Sequence, residues 1–218
     1  MKHKMNFAGA LLALALTIAA ALAAEPTATK TVALEDFESY TNNLQLAKAW
    51  YKPHHGGGTK QTLETSIKNS GKQALKWEYS TTKEDATHYS PICRVAKWDA
   101  SGCNAVRFWL KPDGSGRQIT FQLNIANREG KNIHDLWQTV YVPAKGDTAG
   151  RIVTIPFAKL EHNVKYADSP DTSPVFKPEA LIEIAFYING RNDEPGDGVY
   201  YLDDVNAVQI SETGSNPR

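Results

Sequence analysis

From Gln118 to Ala126 the chain alternates strictly: Ile119, Phe121, Leu123 and Ile125 fall on one side, and Thr120, Gln122 and Asn124 on the other. A period of two over that length predicts a β-strand with one buried face. Similar apolar-rich runs recur. Ala74-Leu75-Lys76-Trp77-Glu78-Tyr79 follows the turn Asn69-Ser70-Gly71, and Ala105-Val106-Arg107-Phe108-Trp109-Leu110 ends at Pro112-Asp113-Gly114. Ile152 to Phe157, Ile182 to Ile188 and Tyr200 to Ile210 read the same way. Helical periodicity is nearly absent; Asn42 to Trp50 suits one short turn of helix. Strands separated by Gly, Pro and Asp turns predict an all-β fold, a two-sheet antiparallel β-sandwich (jelly roll).

The ends do not share this pattern. Lys2, His3 and Lys4 precede an apolar run from Phe7 to Ala20, and Ala21-Leu22-Ala23 is an A-x-A cleavage signal. Residues 1–24 therefore read as a signal peptide, which places the protein in a secreted or periplasmic setting with no membrane insertion after cleavage. Residues 25–33 read as a short linker, 34–211 as one β-sandwich domain and 212–218 as a disordered tail. Two loops stand out, His54-His55-Gly56-Gly57-Gly58 and Glu161 to Lys177; long loops in a compact domain are often functional.

Charge narrows the partner. Lys and Arg number 24, as do Asp and Glu. Removing the leader takes away Lys2 and Lys4 and leaves the chain slightly acidic. This balance lacks the basic footprint of a nucleic-acid binder. Outside a cell, a neutral soluble polymer is most commonly a glycan. Cys93 and Cys103 are the only cysteines, and an even count in an exported chain favours a disulfide, with two buried thiols as the alternative.

Two acidic clusters bracket the domain: Leu34-Glu35-Asp36-Phe37-Glu38 at its start and Tyr200-Tyr201-Leu202-Asp203-Asp204-Val205 at its end. Both read as strand, where carboxylates are depleted. If the first and last strands pair, Glu38 and Asp203 would flank one hard cation, with Glu35, Asp36 and Asp204 in reserve and carbonyls around Ser70-Gly71-Lys72 completing the shell. Oxygen ligands of this kind suit a structural Ca2+. Ordinary surface acids on edge strands are the alternative.

The polar face of the alternating strands is the candidate ligand surface. Gln122 and Asn124 on one strand would join Glu183, Ala185, Tyr187 and Asn189 on another, with Arg191 just beyond, as a shallow groove. Amides and carboxylates bind sugar hydroxyls, and rings stack on sugar C–H faces. Trp50, Tyr51, Tyr89, Trp137 and Tyr166 would rim it, while Trp77, Trp98 and Trp109 suit the core or loop anchoring. Catalytic patterns are weak. No E-x-D-x-x-E, G-x-S-x-G or H-E-x-x-H run is present. His54-His55 makes a poor metal pair, and His134 with Tyr141 or Tyr166 is the best candidate set for a polysaccharide lyase.

Several segments, taken in order, resemble family 11 carbohydrate-binding modules within the galactose-binding-like jelly-roll group. They are Leu34-Glu35-Asp36-Phe37-Glu38, Lys97-Trp98-Asp99-Ala100-Ser101-Gly102, Val106 to Gly114, Arg151-Ile152-Val153-Thr154-Ile155-Pro156-Phe157 and Tyr201-Leu202-Asp203-Asp204-Val205. The resemblance implies two facing sheets, a structural Ca2+ held by Glu38 and Asp203, and a concave-face cleft for a single β-glucan chain. It places cleft residues at or near Tyr51, Tyr89, Asp135 and Tyr166. It also implies work beside a separate glycoside hydrolase, since such modules usually ride on one. Departures are visible. The loop Glu161 to Tyr166 lacks the family's Arg and Asp, Tyr187 stands one position from the family ring at Ile188, and Glu183 one position from its acid at Ile182. The cysteine pair is not part of the family pattern. The resulting expectation is a secreted, non-catalytic polysaccharide-binding protein. A jelly-roll lyase or hydrolase is the first alternative. A structural or assembly protein, like the complex I intermediate-associated proteins of the same fold group, is the second.

Overall fold

The computed structural model describes residues 27–51, 58–84, 87–126, 134–164 and 175–211. The expected signal peptide, the His54–Gly57 stretch, Tyr166 and the expected tail from 212 lie outside the described residues.

Among the described residues, twelve strands form two antiparallel sheets. The first contains β1 (Ala28–Glu35), β3 (Gly58–Glu64), β4 (Ala74–Thr81), β6 (Ala105–Lys111), β9 (Arg151–Pro156) and β12 (Gly196–Ile210), in the order β3-β4-β12-β6-β9 with β1 also on β12. The second contains β2 (Trp50–Tyr51), β5 (Tyr89–Trp98), β7 (Ile119–Ala126), β8 (His134–Tyr141), β10 (Glu161–His162) and β11 (Leu181–Asn189), in the order β10-β8-β7-β11-β5-β2. The expected jelly-roll sandwich is thus present, and the first and last strands do pair. Strand β1 begins at Ala28, so most of the expected 25–33 linker is strand. Strands β3, β5 and β8 were not legible as runs because each lacks a clean apolar alternation.

The long strand β12 organises its sheet. Residues 196–202 pair with β4 and residues 205–210 with β1, both along one edge, while β6 runs along the other. The handover falls at a register shift between Asp203 and Asn206, where Asp204 takes a positive φ of 49°. That bulge re-aims the strand at the acidic cluster. The core lies between the sheets: Ile119, Phe121, Leu123 and Ile125 of β7 meet Phe108, Leu110, Tyr200 and Leu202 across the gap. Phe108 packs edge-on against Phe186 at 5.2 Å, and Phe121 lies 5.8 Å from Phe108.

One helix, α1 (Asn43–Ala49), matches the expected short turn. Asn42 caps it by accepting from Gln45 N at 3.0 Å, which satisfies one of the first-turn donors. The helix delivers Trp50 into the core, fully buried rather than on the groove's rim.

Beside it lies the most heavily bonded buried carboxylate. Glu35 ends β1 and is 6% exposed. Its Oε1 accepts from Asp36 N at 3.1 Å and Phe37 N at 2.8 Å, and Oε2 accepts from Tyr40 OH at 2.6 Å and Trp50 Nε1 at 3.0 Å. Arg94 Nε lies 2.9 Å from Oε2 as an ion pair whose N–H is not aligned into a hydrogen bond. Glu35 therefore ties β1, the following turn, β2 and β5 together.

The cysteines are not bridged. Both are free and buried. Residues Arg94–Trp98 between them belong to β5. Cys103 belongs to the core cluster, while Cys93 sits on the opposite face of its sheet.

Two outcomes follow from this packing. Glu35→Gln, which leaves Arg94 without its countercharge, should lower unfolding free energy by about 3–5 kcal/mol in a urea titration; a loss under about 1 kcal/mol would remove Glu35 from its central role. Thiol titration of the unreduced protein in denaturant should count both cysteines, and a count of none would restore the bridge.

Candidate glycan-binding face

The side of the second sheet that faces away from the core carries the chemistry. Opposite residues in antiparallel ladders share a face. Tyr51 pairs with Cys93, Cys93 with Ala185, Ala185 with Gln122, Gln122 with Gln138, and Gln138 with Glu161. One row thus crosses the whole sheet. A second row runs from Val95 through Glu183 and Asn124 to Leu136, and a third from Pro91 through Tyr187 and Thr120 to Val140. Gln122, Asn124, Glu183, Tyr187 and Asn189 share this face as the alternation implied.

Glu183 is the centre of its polar network. It is 7% exposed; Tyr51 OH donates to its Oε2 at 2.9 Å and Asn124 Nδ2 donates to its Oε1 at 2.5 Å. Asn124 is 3% exposed, and its Oδ1 has no hydrogen-bond partner. Burial first, then the charge of Glu183, pushes the Tyr51 hydroxyl well above its ordinary range. Burial does the same to Tyr187, with the neighbouring Cys93 adding to it. Burial raises the Cys93 thiol to about 12, against a weaker lowering by the Tyr187 contact at 3.5 Å. These hydroxyls and the thiol therefore stay protonated near neutral pH, as donors. The Tyr89 and Tyr187 rings stand 6.2 Å apart, and His88 packs edge-on to Tyr89 at 4.7 Å.

Toward the other edge, Gln138 Oε1 accepts from Gln122 Nε2 at 2.9 Å and from Asn163 Nδ2 at 3.0 Å. Neither Gln138 nor Asn163 was singled out in the sequence. β8 carries no apolar alternation to orient Gln138, and Asn163 directly follows the two-residue strand β10, which no alternation marks.

Other expected residues lie elsewhere. Trp137 pairs with Leu123 and faces the core, 8% exposed, packed on His162 at 5.1 Å and Phe176 at 5.6 Å. Asp135 is in β8, shares the inner side with Ile125 and contacts His162. Tyr141 of the candidate lyase set also faces inward, opposite Ile119, and packs against the core. Arg191 sits in the turn after β11, where its backbone N–H donates to Asn189 Oδ1 at 2.9 Å. Trp137 lines a separate, largely apolar cavity of about 680 Å3 with Phe157, Leu160, Phe176, Pro178 and Ile210.

The acidic clusters meet on one loop. Asp203 Oδ2 accepts from Asn69 N at 2.9 Å and Ser70 N at 3.2 Å, and Glu38 Oε1 accepts from Lys72 N at 2.8 Å and Gln73 N at 3.2 Å. Glu38 lies in the turn after β1, not within a strand. Gly71, at φ +59°, comes so close that an added Cβ would stand 2.3 Å from Glu38 Oε1. Asp203 is 1% exposed and has no ion pair among the described residues. Burial raises its carboxyl and Asp204 adds to that, against the lowering effect of the backbone N–H groups of Asn69 and Ser70. A buried carboxylate lacking a countercharge suits a cation. Among the described residues, however, no group of three or more His, Cys, Asp or Glu is arranged for a metal. A cation here would therefore take two carboxylates and complete its shell from backbone carbonyls.

The fold has close structural counterparts. A family 11 carbohydrate-binding module of Clostridium thermocellum, in complex with a β-1,3-1,4-mixed-linked tetrasaccharide, superposes with a TM-score of 0.59 at 20% identity, covering 84% of this chain and 97% of its own. The family 11 module of a cellulosomal cellulase from the same organism gives 0.58 at 18% identity, with 85% and 97% covered. A family 30 module from another Clostridium thermocellum cellulosomal cellulase gives 0.52 at 14% identity, with 76% and 93% covered. No curated protein sequence matches the chain. The sequence profile of the carbohydrate binding domain (family 11) matches residues 21–206, nearly the whole of the sandwich, and the chain belongs to that family.

Proposed function

We propose that this is an exported, non-catalytic carbohydrate-binding protein that holds a neutral β-glucan chain on the outer face of the second sheet. The observation that carries this is the Glu183 network: a buried carboxylate held between a tyrosine hydroxyl and an amide, on a face that also carries amides, rings and small or apolar side chains. The three rows described above carry no Lys or Arg. Such a face suits hydroxyls and gives a uronate nothing to pair with. Membership of the family supports polysaccharide as the ligand class, and the mixed-linkage tetrasaccharide bound by the Clostridium thermocellum relative supports the β-glucan. The cellulase that carries another relative supports a glycoside hydrolase as the enzyme it serves.

A Ca2+ at Glu38 and Asp203 belongs to the same reading, as a clasp between the turn after β1, the 69–73 loop and the β12 bulge. A bound cation would supply the countercharge that Asp203 lacks.

Native gels cast with mixed-linkage β-glucan should retard the protein, and gels with polygalacturonate should not. Retardation by no neutral polysaccharide would overturn the reading. Tyr51→Phe, which takes one donor from the buried Glu183 carboxylate, should weaken glucan binding about tenfold and lower the melting temperature modestly while the protein still folds; unaltered affinity would take Tyr51 out of the site. Chelator should lower the melting temperature, because an ion bound only by the folded state stabilises it by mass action. The loss should grow as pH rises through the carboxylate range: a carboxyl raised on folding costs stability once ionised, and the cation offsets that cost. Identical melts with chelator and with added Ca2+ would remove the ion.

A further inference from the structure

We infer that Gln138, oriented by Gln122 and Asn163, forms a second sugar-hydroxyl subsite of the groove, two strands from Glu183. The inference rests on reading this face as the glycan site and adds the residues that select along the chain.

The amide carries its own evidence of orientation. A glutamine offers one carbonyl oxygen and one NH2 group. Both Gln122 Nε2 and Asn163 Nδ2 donate to the same oxygen, Gln138 Oε1, at 2.9 and 3.0 Å. That fixes which end of the amide faces its neighbours and turns the NH2 away from them. Gln122, having donated through its nitrogen, keeps its own carbonyl oxygen as an acceptor. The pair thus presents a donor and an acceptor side by side, which is the pattern that adjacent sugar hydroxyls complement. All three residues are half-buried. Gln122 and Gln138 lie opposite each other in the ladder, and Asn163 is anchored by its backbone N–H to Leu136 O at 2.8 Å. The amides are therefore held before any ligand arrives, which limits the ordering cost of binding.

The position also sets a length. Strands stand about 4.8 Å apart, so β8 and β2 are separated by four spacings, about 19 Å. The groove from Tyr51 to Gln138 is then a site for an extended oligosaccharide, with Glu183 gripping one part and the amide pair another.

The test is Gln138→Glu. The new side chain keeps an oxygen for Gln122 and Asn163 but replaces the outward NH2 by an oxygen that only accepts. Calorimetric titration with the β-1,3-1,4-linked tetrasaccharide should give about tenfold weaker binding at neutral pH, with the far-ultraviolet spectrum unchanged. Lowering the pH toward about 4 protonates the introduced carboxyl and gives back an O–H donor, so the deficit relative to the unmodified protein should shrink. Glu161, which faces Gln138 from β10, and Glu183 are present in both proteins, so the ratio reads the introduced carboxyl. Affinity equal to the unmodified protein at neutral pH, or a deficit indifferent to pH, overturns the subsite. Should Gln138→Glu bind normally while Tyr51→Phe binds weakly, the subsite fails and the glycan reading stands. If the unmodified protein binds no neutral glycan, both fail together.

Discussion

Glu35 is the constraint on which the arrangement of the polar outer face depends. A carboxylate at the end of a strand, nearly out of water, is costly unless its lone pairs are met. Here backbone, phenol and indole donors meet them, and Arg94 supplies the charge. The consequence reaches the opposite side of the second sheet. Strand β2 has two residues, Trp50 and Tyr51, paired to Arg94 and Cys93. Trp50 turns inward to Glu35, so its neighbour Tyr51 must turn outward, where it meets Glu183. A buried ionic hub on one face thereby sets a tyrosine on the other.

The same division runs through the second sheet. Each strand places one set of side chains in the core and the other on the outer face, so core and groove are two sides of one pleat. In β11, Ile184, Phe186 and Ile188 fill the interior while Glu183, Ala185 and Tyr187 stand outside. The small side chains of Ala185 and Cys93 leave the middle of the face low. The polar groups around them engage one another in pairs that still present donors and acceptors outward. The first sheet contributes closure instead: β12 joins β1, β4 and β6, and its bulge brings Asp203 to the loop that Glu38 also holds.

Much of this was legible because alternation reports directly on burial. Ile119, Phe121, Leu123 and Ile125 are all buried, and their sequence neighbours Gln122 and Asn124 lie on the polar face. The short helix and the pairing of the chain's ends also matched; Glu38 and Asp203 meet on one loop through its backbone N–H groups, where carbonyls around a cation were expected. The misplacements share a cause. Trp137 and Asp135 were assigned to the groove by residue type and proximity to a motif, but a strand's register decides the face, and a shift of one residue reverses it. Register is set by neighbouring strands. The disulfide expectation missed for a similar reason: sequence distance is short, but the register of β5 turns Cys93 to the outer face while Cys103 joins the core.

The sequence by itself determined the class of fold, the apolar side of β7 and β11, and the polar side opposite it, because each follows from local periodicity and composition. Only the tertiary structure decided that Glu35 is a hub, that Trp50 and Trp137 are core, that Cys93 and Cys103 part company, and that Gln138 joins Gln122 and Asn163. Each of those facts depends on which strand lies beside which and in what register, and such pairings come from long-range packing of the two sheets.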